Sequence, residues 1–425
     1  MKTGSLLMCL TLILIFAGCR NDHKPEDRPN IVLIMADDLG HEVLGCYGGT
    51  SYRTPNLDHL AETGIRFTNC YSAPKCAPSR VKIMTGRYAF RTTKVWGYIP
   101  PEEITFGHML DSAGYKVALA GKWQMAKLKD DPDHIRKMGF NESAVFGWHE
   151  GPRYYEPYIY QNGKILEGVE DKYGPDLFCE FLTSFISRNR NQPFFAYYPM
   201  ALAHEISNDL DNPPPTGPTG RYQSYKELVE YADFLIGKLV NTLDELGLRE
   251  NTLILFTGDN GTPRDFITEF RDGEYISIPI VSHMGDSIIP GGKSLLTDAG
   301  THVPLIANWK GTTPSGITCD DLIDFSDFMP TLAAISGGRL PGVTLDGISF
   351  APQIIGKKGV PRKWIYQEYE DRAWIRDKEW KLYRDGDLIR VTTDPLELNP
   401  HLPYQDSKAE KEIREKFESL LEQLQ

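Results

Sequence analysis

This 425-residue chain is poor in cysteine: it has seven, and none stands in a C-x-x-C or C-x-x-x-C pair. A zinc ribbon or a disulfide framework needs closely spaced thiols, so the sequence argues against both. Positive charge is also short, since 46 Lys and Arg against 58 Asp and Glu leave a net charge of −12. That balance argues against a general nucleic-acid binder and leaves room for a local cationic pocket. There is no internal repeat, and the one biased run, "NPPPTGPTG" from Asn212 to Gly220, reads as a loop. What is present is ordinary globular composition, 41% hydrophobic and 24% charged. The length suffices for one large core with a smaller domain beside it.

The start of the chain stands apart. "MKTGSLLMCLTLILIFAGCR" has a Lys near its beginning, an apolar stretch, and small residues before Cys19. It resembles a bacterial lipoprotein signal, with "FAGC" in place of the usual Leu-led box. The resemblance implies removal of the signal, a lipid on Cys19, and export to the periplasm or cell surface on a membrane anchor. Plain secretion or an uncleaved anchor is the alternative. Residues 20–27, with "NDHKPED", read as a polar tether. Without Cys9 and Cys19 an odd set of five cysteines remains, Cys46, Cys70, Cys76, Cys179 and Cys319. At least one is unpaired, and Cys76 is the candidate kept for chemistry.

The informative pattern lies at the end of each apolar run. Ile31 to Ala36 stops on Asp37 and Asp38, and Leu253 to Phe256 leads to Asp259 and Asn260. "YKVALAGKW" runs into Lys122, "QPFFAYYPMALAH" runs into His204, and "HVPLIANW" is a further candidate strand. Unbroken apolar runs suit strands buried on both faces of a largely parallel sheet. Amphipathic segments such as "PNLDHLAETG" and "YQSYKELVEYADFLIGKLVNTLDELG" separate them. The predicted fold class is therefore α/β, with a large, mostly parallel sheet between helices. In such sheets ligands bind beyond the carboxyl ends of the strands, so the polar residues closing these runs should meet at one rim. Asp37, Asp38, Asp259 and Asn260 offer only hard oxygen donors, which suit Ca²⁺ or Mg²⁺ rather than zinc. Taken singly, each pair also fits a helix cap or a tight turn.

"KCAPSRVKIMTGR", Lys75 to Arg87, completes the set. Pro78 suits the first position of a helix whose Val81, Ile83 and Met84 pack inward and which Gly86 ends. Cys76 would then sit just ahead of an anion-attracting helix N-terminus, with Arg80 one turn on.

These motifs resemble the type I sulfatases of the alkaline-phosphatase superfamily. Cys76, Pro78, Ser79, Arg80, Thr85 and Gly86 match every fixed position of the signature C-x-P-S-R-x-x-x-x-T-G. The likeness extends through "RPNIVLIMADDLG", "GYKVALAGKW", "FTGDNG", "GGKSLLTDAGTHVPLI" and "DFSDFMPTLAAISG". It implies an alkaline-phosphatase-like fold and hydrolysis of sulfate esters. It implies a maturase that converts Cys76 to formylglycine (3-oxoalanine), whose hydrated aldehyde attacks sulfur. Asp37, Asp38, Asp259, Asn260 and the modified Cys76 would hold Ca²⁺. Arg80 would brace the hydrated aldehyde, Lys122 and Lys293 would bind sulfate oxygens, and His204 would face the leaving group.

Two positions depart from the family pattern. Gln124 stands where G-K-W-H has its His, and it cannot take up a proton at neutral pH. Asp298 and His302, in "DAGTHVP", replace an acidic residue and an Arg, and altered support around Lys293 is expected. Outside the motifs, the segment Phe146 to Gly163 holds Trp148, His149, Arg153, Tyr154, Tyr155, Tyr158 and Tyr160. Trp148 and Arg153 are candidates to stack a sugar ring and hold an acidic group, although a packed loop fits equally. From about Phe350 short alternating strands and a charged helix predict a small antiparallel sheet with one helix. The expected layout is a signal over 1–19, a tether over 20–27, a catalytic domain over 28–349 and a C-terminal subdomain over 350–425. The leading expectation is a sulfatase acting on sulfated carbohydrate. A phosphodiester or phosphonate hydrolase and an inactive glycan-binding lipoprotein are the alternatives.

Overall fold

The computed structural model describes residues 28–92, 97–148, 150–205 and 224–424. The signal-like stretch with Cys19, the tether, His149 and the loop Asn212–Gly220 lie outside them. The strand Asn30–Ala36 (β1) is wholly buried and divides its side chains between two layers. Val32, Ile34 and Ala36 enter one apolar cluster, and Ile31, Leu33 and Met35 enter the other. Each larger side chain so buried stabilises the fold by about 1.5–3 kcal/mol. Both faces therefore need cover.

The chain continues through Ile65–Tyr71 (β2), Lys116–Lys122 (β3), Glu142–Phe146 (β4), Tyr160–Gln161 (β5), Lys164–Ile165 (β6), Phe194–Pro199 (β7) and Thr252–Gly258 (β8). Two hairpins come next, Asp265–Arg271 with Glu274–Pro279 (β9, β10) and Val281–Met284 with Ser287–Pro290 (β11, β12). His302–Trp309 (β13) and Ile317–Asp324 (β14) complete a ten-stranded sheet of order β14-β2-β13-β8-β1-β7-β3-β4-β5-β6. The strands β8, β1, β7, β3 and β4 are parallel. The run "HVPLIANW" is a strand as expected, but β13 lies antiparallel to both β8 and β2. An apolar run records burial on two faces and not chain direction. Helices Pro55–Glu62, Gly174–Arg188 and Tyr225–Glu245 cover one face, and Cys76–Thr85, Phe106–Ser112 and Phe328–Ser336 the other.

The C-terminal part is a four-stranded antiparallel sheet, Ile365–Tyr369, Arg372–Arg376, Trp380–Tyr383 and Leu388–Arg390 (β15 to β18), with the helix Lys408–Gln423. Phe417 and Leu421 of that helix pack on Tyr366, Ile375 and Leu382. The opposite face, with Ile365, Trp374 and Ile389, packs on Tyr71, Leu296 and Leu322 of the large unit. Phe350 and Ile354 pack in the large core, and the small sheet begins at Ile365, within the run "KWIYQEY". Among the described residues no helix is long and apolar enough to cross a membrane. The five described cysteines are all free thiols.

Candidate active site

Register dictates the meeting point. Ala36 of β1 lies opposite Gly258 of β8, and Met35 lies opposite Pro199 of β7. The next residues, Asp37 and Asp259, therefore leave adjacent strands at the same level. Backbone bonds fix the rim: Asp259 N–H donates to Ala36 O, Asp37 N–H to Leu202 O, and Ala203 N–H to Asp37 O. Lys122 arrives as the last residue of β3, one strand beyond β7.

Asp37, Asp38 and Asp259 are fully buried, and one oxygen of each lies within 4.8 Å of the others. Each has a cationic partner. Lys122 Nζ donates to both Asp37 oxygens at 2.9 and 2.7 Å. Arg80 donates to Asp259 Oδ2 through Nε at 3.1 Å and Nη2 at 2.7 Å. Lys293 Nζ donates to Asp38 Oδ2 at 2.5 Å. Burial raises the Asp37 carboxyl, but Lys122, His204, Arg80 and Lys293 outweigh it and hold the group well below the carboxylate range. Burial, then the charge of Asp37, pushes Asp259 up to about 7. For Lys293 burial opposes the charge, and Asp38 and Glu205 overcome it, keeping the ammonium above its ordinary value. Three buried carboxylates this close repel strongly and need positive charge among them.

The fourth oxygen donor is incomplete in a telling way. Asn260 Nδ2 donates to Asp38 Oδ1 at 2.8 Å and to Gly261 O at 2.9 Å, yet Asn260 Oδ1 is buried with no hydrogen-bond partner. A buried carbonyl oxygen without a donor is costly unless a cation faces it. This donor set, three carboxylates and one amide oxygen, fits a hard divalent cation.

Cys76 is the first residue of the helix Cys76–Thr85 and Pro78 the third, so the thiol sits in the first turn and not ahead of it as expected. Lys75 is in extended conformation and takes the cap, and Gly86 ends the helix in the left-handed region, φ 69°. Cys76 is half-buried and its charge would be felt by both Arg80 and Lys293. Arg80 is locked further by Nη1 donating to Lys122 O at 3.3 Å. Non-glycine residues with positive φ flank the site: Asp38 (58°), Gln124 (42°) and Ser294 (75°). Such backbone is held only where the surroundings over-determine it, and it concentrates at functional sites. Gln124 is buried beside Lys122.

His204 Nε2 lies 3.7 Å from Asp38 Oδ2, and Nδ1 bonds the carbonyl of Glu205 at 2.9 Å. Burial, then Lys293 and Arg153, pushes the imidazole well below its ordinary value. Two tyrosines that sequence reasoning gave no such role hold this rim. Tyr154 OH lies 2.8 Å from both Ala201 O and His204 O and shares its one proton between them, and Tyr225 OH donates to Asp38 O at 2.6 Å. Glu205 was missed as well; its only sequence signal is its place directly after His204. Arg153 is buried and close enough to act electrostatically on His204 and Glu205. Tyr154, Tyr155 and Tyr160 are buried, whereas Trp148 is half-buried with its Nε1 donating to Gly97 O at 2.7 Å.

The departure at "DAGTHVP" resolves differently from expectation. Asp298 does not support Lys293, which hangs from Asp38 and from Thr262 O through its own N–H. Instead Asp298 accepts from Arg376 Nη1 at 2.9 Å and from Lys381 Nζ, both in the small sheet. A guanidinium thus reaches Asp298 from β16. His302 stacks between His41 and Tyr71.

A family model described as Sulfatase matches residues 29–338. The chain belongs to the sulfatase family. It is 32% identical over 386 residues to human arylsulfatase A, covering 81% of this chain and 72% of that one. A Bacteroides thetaiotaomicron structure from work on glycosaminoglycan metabolism superposes with a TM-score of 0.76 at 22% identity, over 94% of this chain and 99% of that one. A second solved structure, in complex with its substrate D-glucosamine-2-N,6-O-disulfate, superposes with a TM-score of 0.70 at 22% identity, over 94% of this chain and 97% of that one. This sulfatase is accordingly a sulfuric ester hydrolase of the alkaline-phosphatase superfamily.

Proposed function

We propose that this sulfatase removes sulfate from carbohydrate, with a formylglycine made from Cys76 and with Ca²⁺ held by Asp37, Asp38, Asp259 and Asn260. The observation that carries the reading is the orphaned Asn260 Oδ1 among three buried carboxylates, a few ångströms from two lysines and an arginine. Formylglycine at position 76 would supply the hydrated aldehyde that attacks sulfur, and the cation would withdraw charge from the reacting oxygens.

The chain's own residues would do the rest. Lys122 and Lys293 present point charges to the sulfate oxygens, and Arg80, held by Asp259, keeps a fixed fork at the first turn of the helix. Because His204 Nδ1 donates to the Glu205 carbonyl, Nε2 is the nitrogen left to face the ester, and it would protonate the leaving oxygen only once the imidazole has taken up a second proton there. Gln124 would place an amide, with no proton to exchange, beside position 76. Trp148 would offer the exposed part of its indole to a sugar ring, and Arg153 would add positive potential near His204.

A carbohydrate substrate is supported by the neighbour solved with a sulfated glucosamine and by the glycosaminoglycan context of the other. We also propose export on a lipid at Cys19, followed by a catalytic domain to residue 349 and a closing C-terminal subdomain. The test is a sulfate-release screen over a defined panel of sulfated sugars, using protein co-expressed with a sulfatase maturase. Release from at least one sugar is expected. Retention of sugars without release from any of them, on modified protein, would overturn the reading.

A further inference from the structure

The catalytic roles assigned to the rim leave the Glu205 side chain unused. Its Oε2 lies 3.4 Å from His204 Nδ1, but that nitrogen spends its hydrogen bond on the Glu205 carbonyl oxygen at 2.9 Å. The imidazole is oriented without the carboxylate, since Tyr154 also anchors the His204 carbonyl. Glu205 is therefore spare as an orienting group. Its side chain is 21% exposed, whereas Asp37, Asp38 and Asp259 are 0% exposed, so it borders the charge cluster, within 4.8 Å of Asp38 and His204, as the carboxylate that solvent reaches. Burial raises the Glu205 carboxyl above its ordinary value and Asp38 adds to this, while Lys293 and Arg153 pull the other way.

A carboxylate at the mouth of a site for anionic esters repels the incoming sulfate. It suits a site whose ligand also brings neutral donors. An ionised carboxyl has only acceptor sites, about four lone pairs on two oxygens, and two neighbouring ring hydroxyls can donate to it at once. An aryl leaving group has no such hydroxyls.

We propose that Glu205 is a specificity-determining residue that accepts hydroxyl hydrogen bonds from the sugar carrying the sulfate, on the leaving-group side of His204. The inference rests on the proposed carbohydrate reading and adds a contact that selects sugar over aryl esters. A site built to bond a substrate hydroxyl discriminates far better than an apolar pocket.

The test uses full-length, maturase-treated protein as wild type and Glu205→Gln. The substrates are N-acetylglucosamine 6-sulfate, N-acetylgalactosamine 6-sulfate, singly deoxygenated analogues of the better one, and 4-nitrophenyl sulfate. Glu205→Gln is expected to lower the sugar-to-aryl ratio of kcat/KM by about 10- to 100-fold, the range for a hydrogen bond to a charged group. Removing one particular hydroxyl should cost wild type a similar factor and cost the variant little. Equal losses on sugar and aryl sulfate would show that Glu205 acts through His204 and would overturn the inference. So would no loss on either, or a wild type that cleaves the aryl ester and neither sugar. A wild type inactive on every substrate would instead mark failure of the underlying functional reading, and this inference would fall with it.

Discussion

Two buried charge clusters of similar make-up lie on either side of the segment from Lys293 to Asp298. At the sheet rim, Asp37, Asp38 and Asp259 balance Lys122, Arg80 and Lys293. At the junction with the small sheet, Asp298 and Glu397 balance Arg376 and Lys381, and the hydroxyl of Tyr383 donates to Glu397. Both are largely shielded from solvent and both hold displaced carboxyl pKa values, Asp298 being kept well below its ordinary range by Lys381 and Arg376 against burial. Charge balance and pKa displacement therefore do not tell the two apart. Satisfaction does. No buried side-chain N or O atom of the junction lacks a partner, whereas the rim keeps Asn260 Oδ1 orphaned and a half-buried thiol. The junction is closed on itself and fastens two sheets. The rim is built to take up something more.

The sharpest way to break this contrast is to remove the reacting group. Cys76→Ala should lower sulfate release by at least about 10,000-fold, as loss of a nucleophile does, with no fall in thermal stability. Unchanged release would place the chemistry elsewhere. At the junction the opposite split is expected. Asp298→Asn leaves two buried cations short of a partner and should destabilise the fold by about 3–5 kcal/mol, read as a lower urea midpoint, while the folded fraction keeps its kcat. A loss of kcat with no loss of stability would make the junction part of the site.

Asn260→Ala sharpens the comparison at its deciding atom. The calcium concentration for half-maximal activity should rise by more than the 10- to 100-fold, roughly, that loss of an outer-shell partner costs. Chelation should abolish wild-type activity and added calcium restore it. A calcium response unaltered by Asn260→Ala would remove the orphaned oxygen from the account. The smallest effect is expected at Trp148. Its replacement by Ala should lower kcat/KM on a sulfated sugar by about three- to tenfold through lost stacking and leave 4-nitrophenyl sulfate hydrolysis less affected. Full activity of Trp148→Ala on the sugar would exclude it from the binding surface.

The rim was legible because its residues punctuate apolar runs. Asp37, Lys122, His204 and Asp259 each stand where a two-sided strand ends, and strand ends in such a sheet face one crevice. Lys293 was not legible that way, since it comes after two hairpins rather than a sheet strand, and only the family likeness pointed to it. Tyr225 at the start of a helix resembled a packing residue, and Tyr154 stood among loop aromatics that fitted sugar stacking or packing equally, because hydrogen bonds to distant carbonyls leave no trace in local spacing. The same holds for Arg376, which meets Asp298 across 78 residues. The direction of β13 was equally hidden, being set by pairing and not by apolar content.

The central claim concerns position 76, and mass spectrometry of the peptide spanning Lys75 to Arg87 tests it most directly. Taken from an active preparation, that peptide should carry formylglycine, and the modified fraction should scale with sulfate release across batches. An active preparation whose peptide holds only an unmodified thiol would contradict the account.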